Sequence, residues 1–510
     1  MLKKLCQCIG LASLILAMNY GELLGGGGSV RMHVPYALNG IVYAQLADIL
    51  LLGLGLFAII GPLWRTCFYP WVQLVVAMGV PPYLIERIRA VLPFHLVDGL
   101  MFLLGVVWAG MVLVLFFRWN DAYRRLMRVG DFAGVFLAVF ACCSVVQMLW
   151  VTQWRPGPQA HRAAWEGTAQ APRQHPLMVW MVFDELSYEQ VFGHRASGLA
   201  LPNFDALRSE STVYSDAQPI GDQTVKVLPS LLSGRRVEGY RYTFDNRLMV
   251  RDAGETGLHQ LDGAGTVFAD AQREGWRTAA VGWYNPYCTI YSGAIDDCYW
   301  MNRDMTDGPM AQDESFWRNM YTPLKQMVDE VVEPAEARRE VCGYDVRQRT
   351  KTYVDLEQRA EQVLRSDQTD FVLLHLPVPH SPNIWSRARN EYSQECGGSY
   401  LDGLALADRE LGRVMGILRS SPRWKDTTVM VQGDHSWRTY LWRDEPAWTP
   451  EDEAAARGGF DARPAVMVRA AGQTQAAVNG APWSLLNVHT IVEQVVRGEA
   501  VHDESQNLKR

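Results

Sequence analysis

The feature that most constrains this chain is an abrupt change of texture near residue 154. Five uncharged stretches lie before it, at 5–21, 49–64, 66–85, 99–117 and 132–154, and several approach the roughly 20 residues that span a bilayer. After it the chain has the mixed texture of a soluble globular protein, so the mean hydropathy of -0.08 averages two unlike halves. We expect a transmembrane helical domain over 1–154 with four or five spans, a linker over 155–176 and a soluble domain over 177–510. The linker sequence "RPGPQAHRAAWEGTAQAPRQH" is polar and carries Pro and Gly, as a connector should.

The number of spans decides the side on which the second half works. Pro70, Pro81 and Pro82 leave 66–85 open between a span and an interfacial or re-entrant segment. Four spans from a cytoplasmic N-terminus keep the soluble half inside, and five export it. Arg118, Arg124, Arg125 and Arg128 crowd the loop before the last stretch, and the positive-inside rule puts that loop in the cytoplasm. Export follows; Lys3 and Lys4 agree with it, whereas Arg87 and Arg89 oppose it. No small-x-small cleavage site precedes the glycine run Gly25 to Gly28, so the first stretch is expected to persist as a helix.

Four of the nine cysteines, Cys288, Cys298, Cys342 and Cys396, fall in the soluble half. An even number suits an oxidising compartment. Of the three possible pairings, Cys288–Cys298 with Cys342–Cys396 is the one we expect. Lys and Arg number 48 against 55 Asp and Glu, a net charge of -7, and no basic run interleaved with aromatics occurs in the second half, which excludes nucleic acid as a partner.

"PLMVWMVF" is a continuous apolar run, the mark of a strand covered on both faces. Helix-then-strand patterns recur in "GTVFADAQREGWRTAAVGW", "YVDLEQRAEQVLRSDQTDFVLLHL" and "YLDGLALADRELGRVMGILRSSPRWKDTTVMV". The alternation predicts an α/β fold, a mostly parallel sheet with helices on both faces. Three strands run into polar clusters: Asp184 and Glu185, then "PVPHSP" with His380, then "GDHSW" with Asp434 and His435. Ligands of open α/β sheets sit outside the carboxyl ends of strands, so these clusters are expected to meet.

Asp434 and His435 offer a hard oxygen and a borderline nitrogen, which suits Zn2+ or Mn2+; read alone, the pair also fits a plain turn. His380, stiffened by Pro377, Pro379 and Pro382, could donate to a substrate oxygen or bind a second metal. His375, inside an apolar run, reads as a satisfied core histidine. Thr224, in "DQTVKVLPSLLSG", is a poor nucleophile unless a neighbour lowers its pKa.

The ordered set "VFDE", "LPNFDALRSESTVYSDA", "TVKVLPSLLSG", "TVFADAQREGWRTAAVGW", "HLPVPHSP", "YLDGLALADRELGRVM" and "VQGDHS" resembles the alkaline phosphatase superfamily. The likeness is to its sulfatase-like branch, which includes membrane-bound phosphoethanolamine and phosphoglycerol transferases. The resemblance implies an alkaline-phosphatase-like fold in which Asp184, Asp434 and His435 bind a divalent metal, zinc before manganese, with Glu185 a further ligand. It also implies that Thr224, five residues ahead of Pro229, is both ligand and nucleophile.

The chain departs from the branch in three places. It lacks the C/S-x-P-x-R pattern that formylglycine sulfatases need. The lysine that often follows the "TAAVG" strand is replaced by "WYNPYC". No second Asp and His ligand set is evident, so one metal is expected. Lys226 could neutralise a phosphoryl oxygen as charge develops, or be a solvated surface lysine. Tyr400, Asp402 and Asp408 are assigned to packing and capping.

The resemblance implies a metal-dependent phosphotransferase anchored in a bacterial-type inner membrane, with its catalytic domain on the periplasmic or extracellular side. It would move phosphoethanolamine or phosphoglycerol from a phospholipid donor to an envelope glycan or lipid. Two rivals remain at this stage: a sulfatase-like hydrolase or phosphodiesterase with water as acceptor, and a non-catalytic envelope assembly module.

Overall fold

The computed structural model describes residues 1–17, 34–35, 37–89, 98–153, 175–243, 247–303, 315–366 and 368–501. The chain divides into two compact units, one helical and one α/β. Residues 155–174 of the linker expected over 155–176, the glycine run 25–28 and the side chains of Arg87 and Arg89 lie outside the described residues.

The helical unit contains α1 (Leu2–Ile15), α2 (Asn39–Leu63), α3 (Tyr69–Arg89), α4 (Asp98–Arg118) and α5 (Asn120–Val151). Helix α1 packs on α2 and α5. Gly10 permits this approach, because a Cβ there would lie 2.6 Å from the backbone carbon of Leu137. Lys4 Nζ then donates to Asp131 Oδ1 at 3.0 Å and to the Tyr69 hydroxyl at 3.1 Å.

Among the described residues, α2 and α5 are long and apolar enough to cross a membrane. Residues 69–85 of the stretch 66–85 lie in α3, which carries Pro81 and Pro82 within it, and 99–117 lies in α4. Helix α1 has 14 residues, about 21 Å at 1.5 Å per residue, short of the roughly 30 Å hydrocarbon layer; residues 18–21 of that stretch lie outside the described residues.

The α/β unit is built on eleven strands that concern the site: β1 (Met178–Phe183), β2 (Thr212–Tyr214), β3 (Val237–Tyr242), β4 (Leu248–Asp252), β5 (His259–Gln260), β6 (Thr278–Trp283), β7 (Asp297–Met301), β8 (Phe371–Leu376), β9 (Thr428–Gly433), β10 (Val466–Arg469) and β11 (Ala477–Asn479). Eight form one sheet in the order β11-β2-β10-β9-β1-β8-β6-β7, and β3-β4-β5 form a small separate one. The five strands from β9 to β7 are parallel; β10 pairs antiparallel with both β9 and β2.

The central strands are buried along their whole length because helices cover both faces. Met178, Trp180 and Val182 of β1 face α7 (Thr224–Ser233), α8 (Val267–Arg273) and α11 (Asn487–Val496). Val179, Met181 and Phe183 face α6 (Pro202–Arg208), α9 (Pro334–Arg365) and α10 (Tyr400–Ser420). Period-2 alternation sends successive side chains to opposite layers, and both layers are apolar, which explains the unbroken apolar runs.

Register then aligns the strand ends. Phe183 pairs with both Gly433 and Leu376, so the polar clusters after β1, β8 and β9 leave the sheet at one level. The residues assigned to helix support take that role: Ser399 and Asp402 form a capping box on α10, and Asp408 accepts from the backbone N–H groups of Asn203 and Phe204 at the start of α6. The expected disulfides, Cys288–Cys298 and Cys342–Cys396, are both formed.

Candidate active site

Thr224 is the first residue of α7, with Gln223 as N-cap, and the amphipathic run that follows anchors the helix in the core. Its hydroxyl lies at the carboxyl edge of the sheet. Thr224 Oγ1 donates to Asp434 Oδ2 at 2.8 Å and lies 3.1 Å from Asp184 Oδ2 and 3.5 Å from His435 Nε2. Three segments distant in sequence therefore meet at one hydroxyl, and the helix start adds partial positive charge beside it.

Asp184 and Asp434 are fully buried and His435 and Thr224 nearly so. Asp434 Oδ1 accepts from the backbone N–H groups of Glu185 and His435 at 3.1 and 2.8 Å. His435 Nε2 stands 3.2 Å from Asp434 Oδ2 and 3.7 Å from Asp184 Oδ1. Burial, and next the charge of Asp434, push Asp184 well above the usual carboxylate range; Glu185 adds to this, while Arg438 and the Thr224 hydroxyl oppose it.

Glu185 has a left-handed backbone, φ 66°, a conformation that costs a non-glycine residue free energy and needs its surroundings to hold it. The Tyr400 hydroxyl supplies that support, donating to the Glu185 carbonyl at 2.6 Å and accepting from Ser187 N–H at 3.1 Å. The Glu185 carboxylate accepts from Arg438 Nε at 2.5 Å and from Trp442 Nε1 at 2.9 and 3.0 Å.

The residues fit a divalent cation. Three buried carboxylates face one guanidinium, that of Arg438, so the cluster carries an excess of negative charge that a dry site does not tolerate alone. Asp184 Oδ1 and His375 Nε2 are buried without a hydrogen-bond partner. Asp184, Glu185 and His435 bring ligand atoms within 4.8 Å of one another, and so do Asp184, His375 and Asp434.

His375 departs from its sequence reading. It is interior, but only Nδ1 is satisfied, by the Tyr287 hydroxyl at 2.8 Å; Nε2 lies 3.9 Å from Asp184 Oδ2. With the proton on Nδ1, Nε2 turns a lone pair toward the carboxylates. Burial lowers its pKa to about 4, so the ring is neutral, as a ligand must be. The overlooked signal was its place, next to last in β8, just before a polar cluster.

His380 is drawn to the same edge, yet not as the free donor expected. Burial, then the charges of Arg349 and Arg438, hold it well below the usual histidine range. Its one N–H is best placed on Nδ1, 2.6 Å from the Ser381 carbonyl, which leaves Nε2 to accept from Arg438 Nη2 at 3.1 Å. His380 thereby fixes Arg438, which the sequence reading had missed three residues after His435. Lys226 is half-buried on α7 and makes no ion pair among the described residues. Where the branch's lysine would stand, Trp283 lies against the His375 and His380 rings, with the Arg349 guanidinium 5.1 Å from its ring centre.

The model of the sulfatase family matches residues 176–456, more than half of the chain. No curated protein matches significantly in sequence. Similar solved structures include the PsFucS1 sulfatase from Pseudoalteromonas sp., 13% identical, covering 65% of this chain and 69% of that one at a TM-score of 0.41. A protein in the alkaline phosphatase superfamily from Vibrio parahaemolyticus is 13% identical, with 64% and 67% covered and a TM-score of 0.40. The phosphonate monoester hydrolase of Agrobacterium radiobacter is 13% identical, with 63% and 74% covered and a TM-score of 0.37. On the extent of the family match, which takes in Asp184, Thr224, Asp434 and His435, this chain belongs to the sulfatase family.

Proposed function

We propose that the chain is a membrane-anchored, metal-dependent phosphotransferase. Thr224 would take phosphoethanolamine or phosphoglycerol from a phospholipid donor and pass it to an envelope glycan or lipid. The observation that carries the reading is the Thr224 hydroxyl held between Asp184 and Asp434 at a helix start. A threonine there supports attack on phosphorus and rules out formylglycine chemistry.

Asp184, Asp434, His435 and Thr224, with Glu185 adjoining, would hold a divalent cation, and their mixed oxygen and nitrogen donors suit zinc or manganese. When bound, it supplies positive charge where the threonine oxygen and the transferring group become negative. The chain's own residues do the rest. The Thr224 proton, held between the Asp434 and Asp184 carboxylates at 2.8 and 3.1 Å, is lost to a base as the oxygen attacks. Thr224 Oγ1 bonds to phosphorus as the lipid alkoxide leaves, giving a phosphodiester on threonine. An acceptor hydroxyl then attacks the same phosphorus, its proton is lost to a base, and Thr224 departs and recovers its proton. Arg438, held by Glu185 and His380, adds a fixed positive charge at the edge.

Membrane anchoring is supported by α2 and α5 and by large apolar side chains exposed along the helical unit, among them Leu51, Leu54, Phe102, Phe136 and Val139, because apolar surface of that extent needs a cover. The two disulfides support placing the soluble unit outside the cell membrane, in an oxidising compartment.

Family membership favours a second reading, in which water replaces the acceptor. Donor lipid labelled in its head group separates the two. Transfer of label to glycan or lipid is the expected result; release of free head group alone would establish the hydrolase. If Thr224→Ala, folded and metal-loaded, worked at the normal rate by either route, the covalent mechanism would be wrong.

A further inference from the structure

A second group of metal-type donors lies on the β3-β4-β5 sheet. Asp252 ends β4, His259 opens β5, and Glu255 lies in the turn between them. Asp252 Oδ2 is 3.8 Å from His259 Nε2, and Glu255 Oε2 is 3.7 Å from His259 Nδ1. One ligand atom from each residue falls within 4.8 Å of the other two. The turn fixes this spacing, with Glu255 N–H donating to the Asp252 carbonyl at 3.1 Å.

Asp252 is the telling member. It is only 5% exposed, yet neither carboxylate oxygen accepts a hydrogen bond, and His259 Nε2 also lacks a partner. Leaving a buried carboxylate without hydrogen bonds is costly unless a cation faces it. Arg235 provides only a poor one: its Nε is 3.2 Å from Asp252 Oδ2, outside hydrogen-bond geometry, on a side chain that is 52% exposed. No hydrogen bond joins the two side chains, so the pair lacks the contacts that make arginine–carboxylate pairs strong.

We infer that Asp252, Glu255 and His259 form a second divalent-metal site, separate from the Thr224 centre. One imidazole nitrogen and two carboxylate oxygens, completed by water, are the donor set of a zinc-type ion. The exposed Glu255 gives the ion a way in, and Arg235 has solvent to turn into when the ion displaces it. The site would tie the end of β4 to β5. Strand β3 follows α7 through Gly234 and packs against it, so the ion would brace the sheet on which the nucleophile helix rests.

The full-length protein, stripped with EDTA and titrated with zinc against a chelating dye, should take up an ion that Asp434→Asn/His435→Gln leaves in place. Adding His259→Ala to that variant should abolish this uptake, and Arg235→Gln should strengthen it several-fold by removing the competing cation. Zinc should also slow amide exchange over 248–260 in the Asp434→Asn/His435→Gln protein. Three results would overturn the inference: no uptake by that variant while its circular dichroism is native, uptake that survives His259→Ala, or uptake weakened by Arg235→Gln. Loss of all zinc from the Asp434 variant would leave the Thr224 centre standing and remove only this second site.

Discussion

At the scale of single residues, the site concentrates its chemistry in groups that have little freedom to change. Thr224→Ala should reduce turnover by at least about 10³-fold, because removing a covalent nucleophile leaves only binding and electrostatics. Thr224→Ser keeps the oxygen and should retain most of the activity; assays on labelled donor lipid check both. His375 gives a stability prediction whose sign is set by burial. Its folded pKa of about 4 lies below the ordinary 6.5, so the neutral ring contributes stability above pH 6.5 that is lost as pH falls through 6.5 toward 4. The loss is on the order of 3 kcal/mol. Urea unfolding of metal-free protein should show that pH dependence, and His375→Gln should flatten it by about one proton. Asp184, Thr224, Asp434 and His435 were legible in the sequence because each sits in a short motif. Arg438 and the second face of His375 were not, since the direction of a ring nitrogen depends on packing against β6 and on Tyr287.

At the scale of elements, β6 shows how a strand can serve a site it does not enter, by supporting His375 on the neighbouring β8. The Tyr287 ring lies against Gly282, where a Cβ would meet its Cε2 at 2.3 Å, and this close approach lets the Tyr287 hydroxyl reach His375. Gly282→Ala should therefore destabilise the protein by about 1–3 kcal/mol through overpacking and weaken zinc binding. Tyr287→Phe keeps the ring and should weaken zinc binding about 10–100-fold, as loss of a ligand's supporting hydrogen bond does, with little change in thermal midpoint. Calorimetry and zinc titration on the two variants separate the effects. The parallel strands were legible because helices bury both their faces; the antiparallel β10 was not, since "AVMVRA" carries no mark of direction. For the hydropathic stretches, Pro81 and Pro82 lie inside a continuous helix rather than ending it, and Pro70 falls in that helix's first turn.

At the scale of the whole molecule, the two disulfides hold loops of very different length, with sequence separations of 10 and 54. On a chain-entropy view, their reduction should cost about 3 and about 4 kcal/mol respectively. Cys342→Ser/Cys396→Ser should thus lower the thermal midpoint further than Cys288→Ser/Cys298→Ser, by differential scanning calorimetry. The change of texture near residue 154 was legible from hydropathy alone. The convergence of the site was not, because it depends on the register of β1 with β8 and β9.

The contact between Glu185 N–H and Asp434 spans 249 residues, and this has a consequence for biogenesis. The hydroxyl of Thr224 is synthesised long before β9 delivers Asp434 and His435, so until then it is an ordinary alcohol. Reactivity arrives only when one of the last central strands docks. A chain that folds around its central strands is thereby inert at this hydroxyl until the sheet is complete, and the late strand acts as the switch.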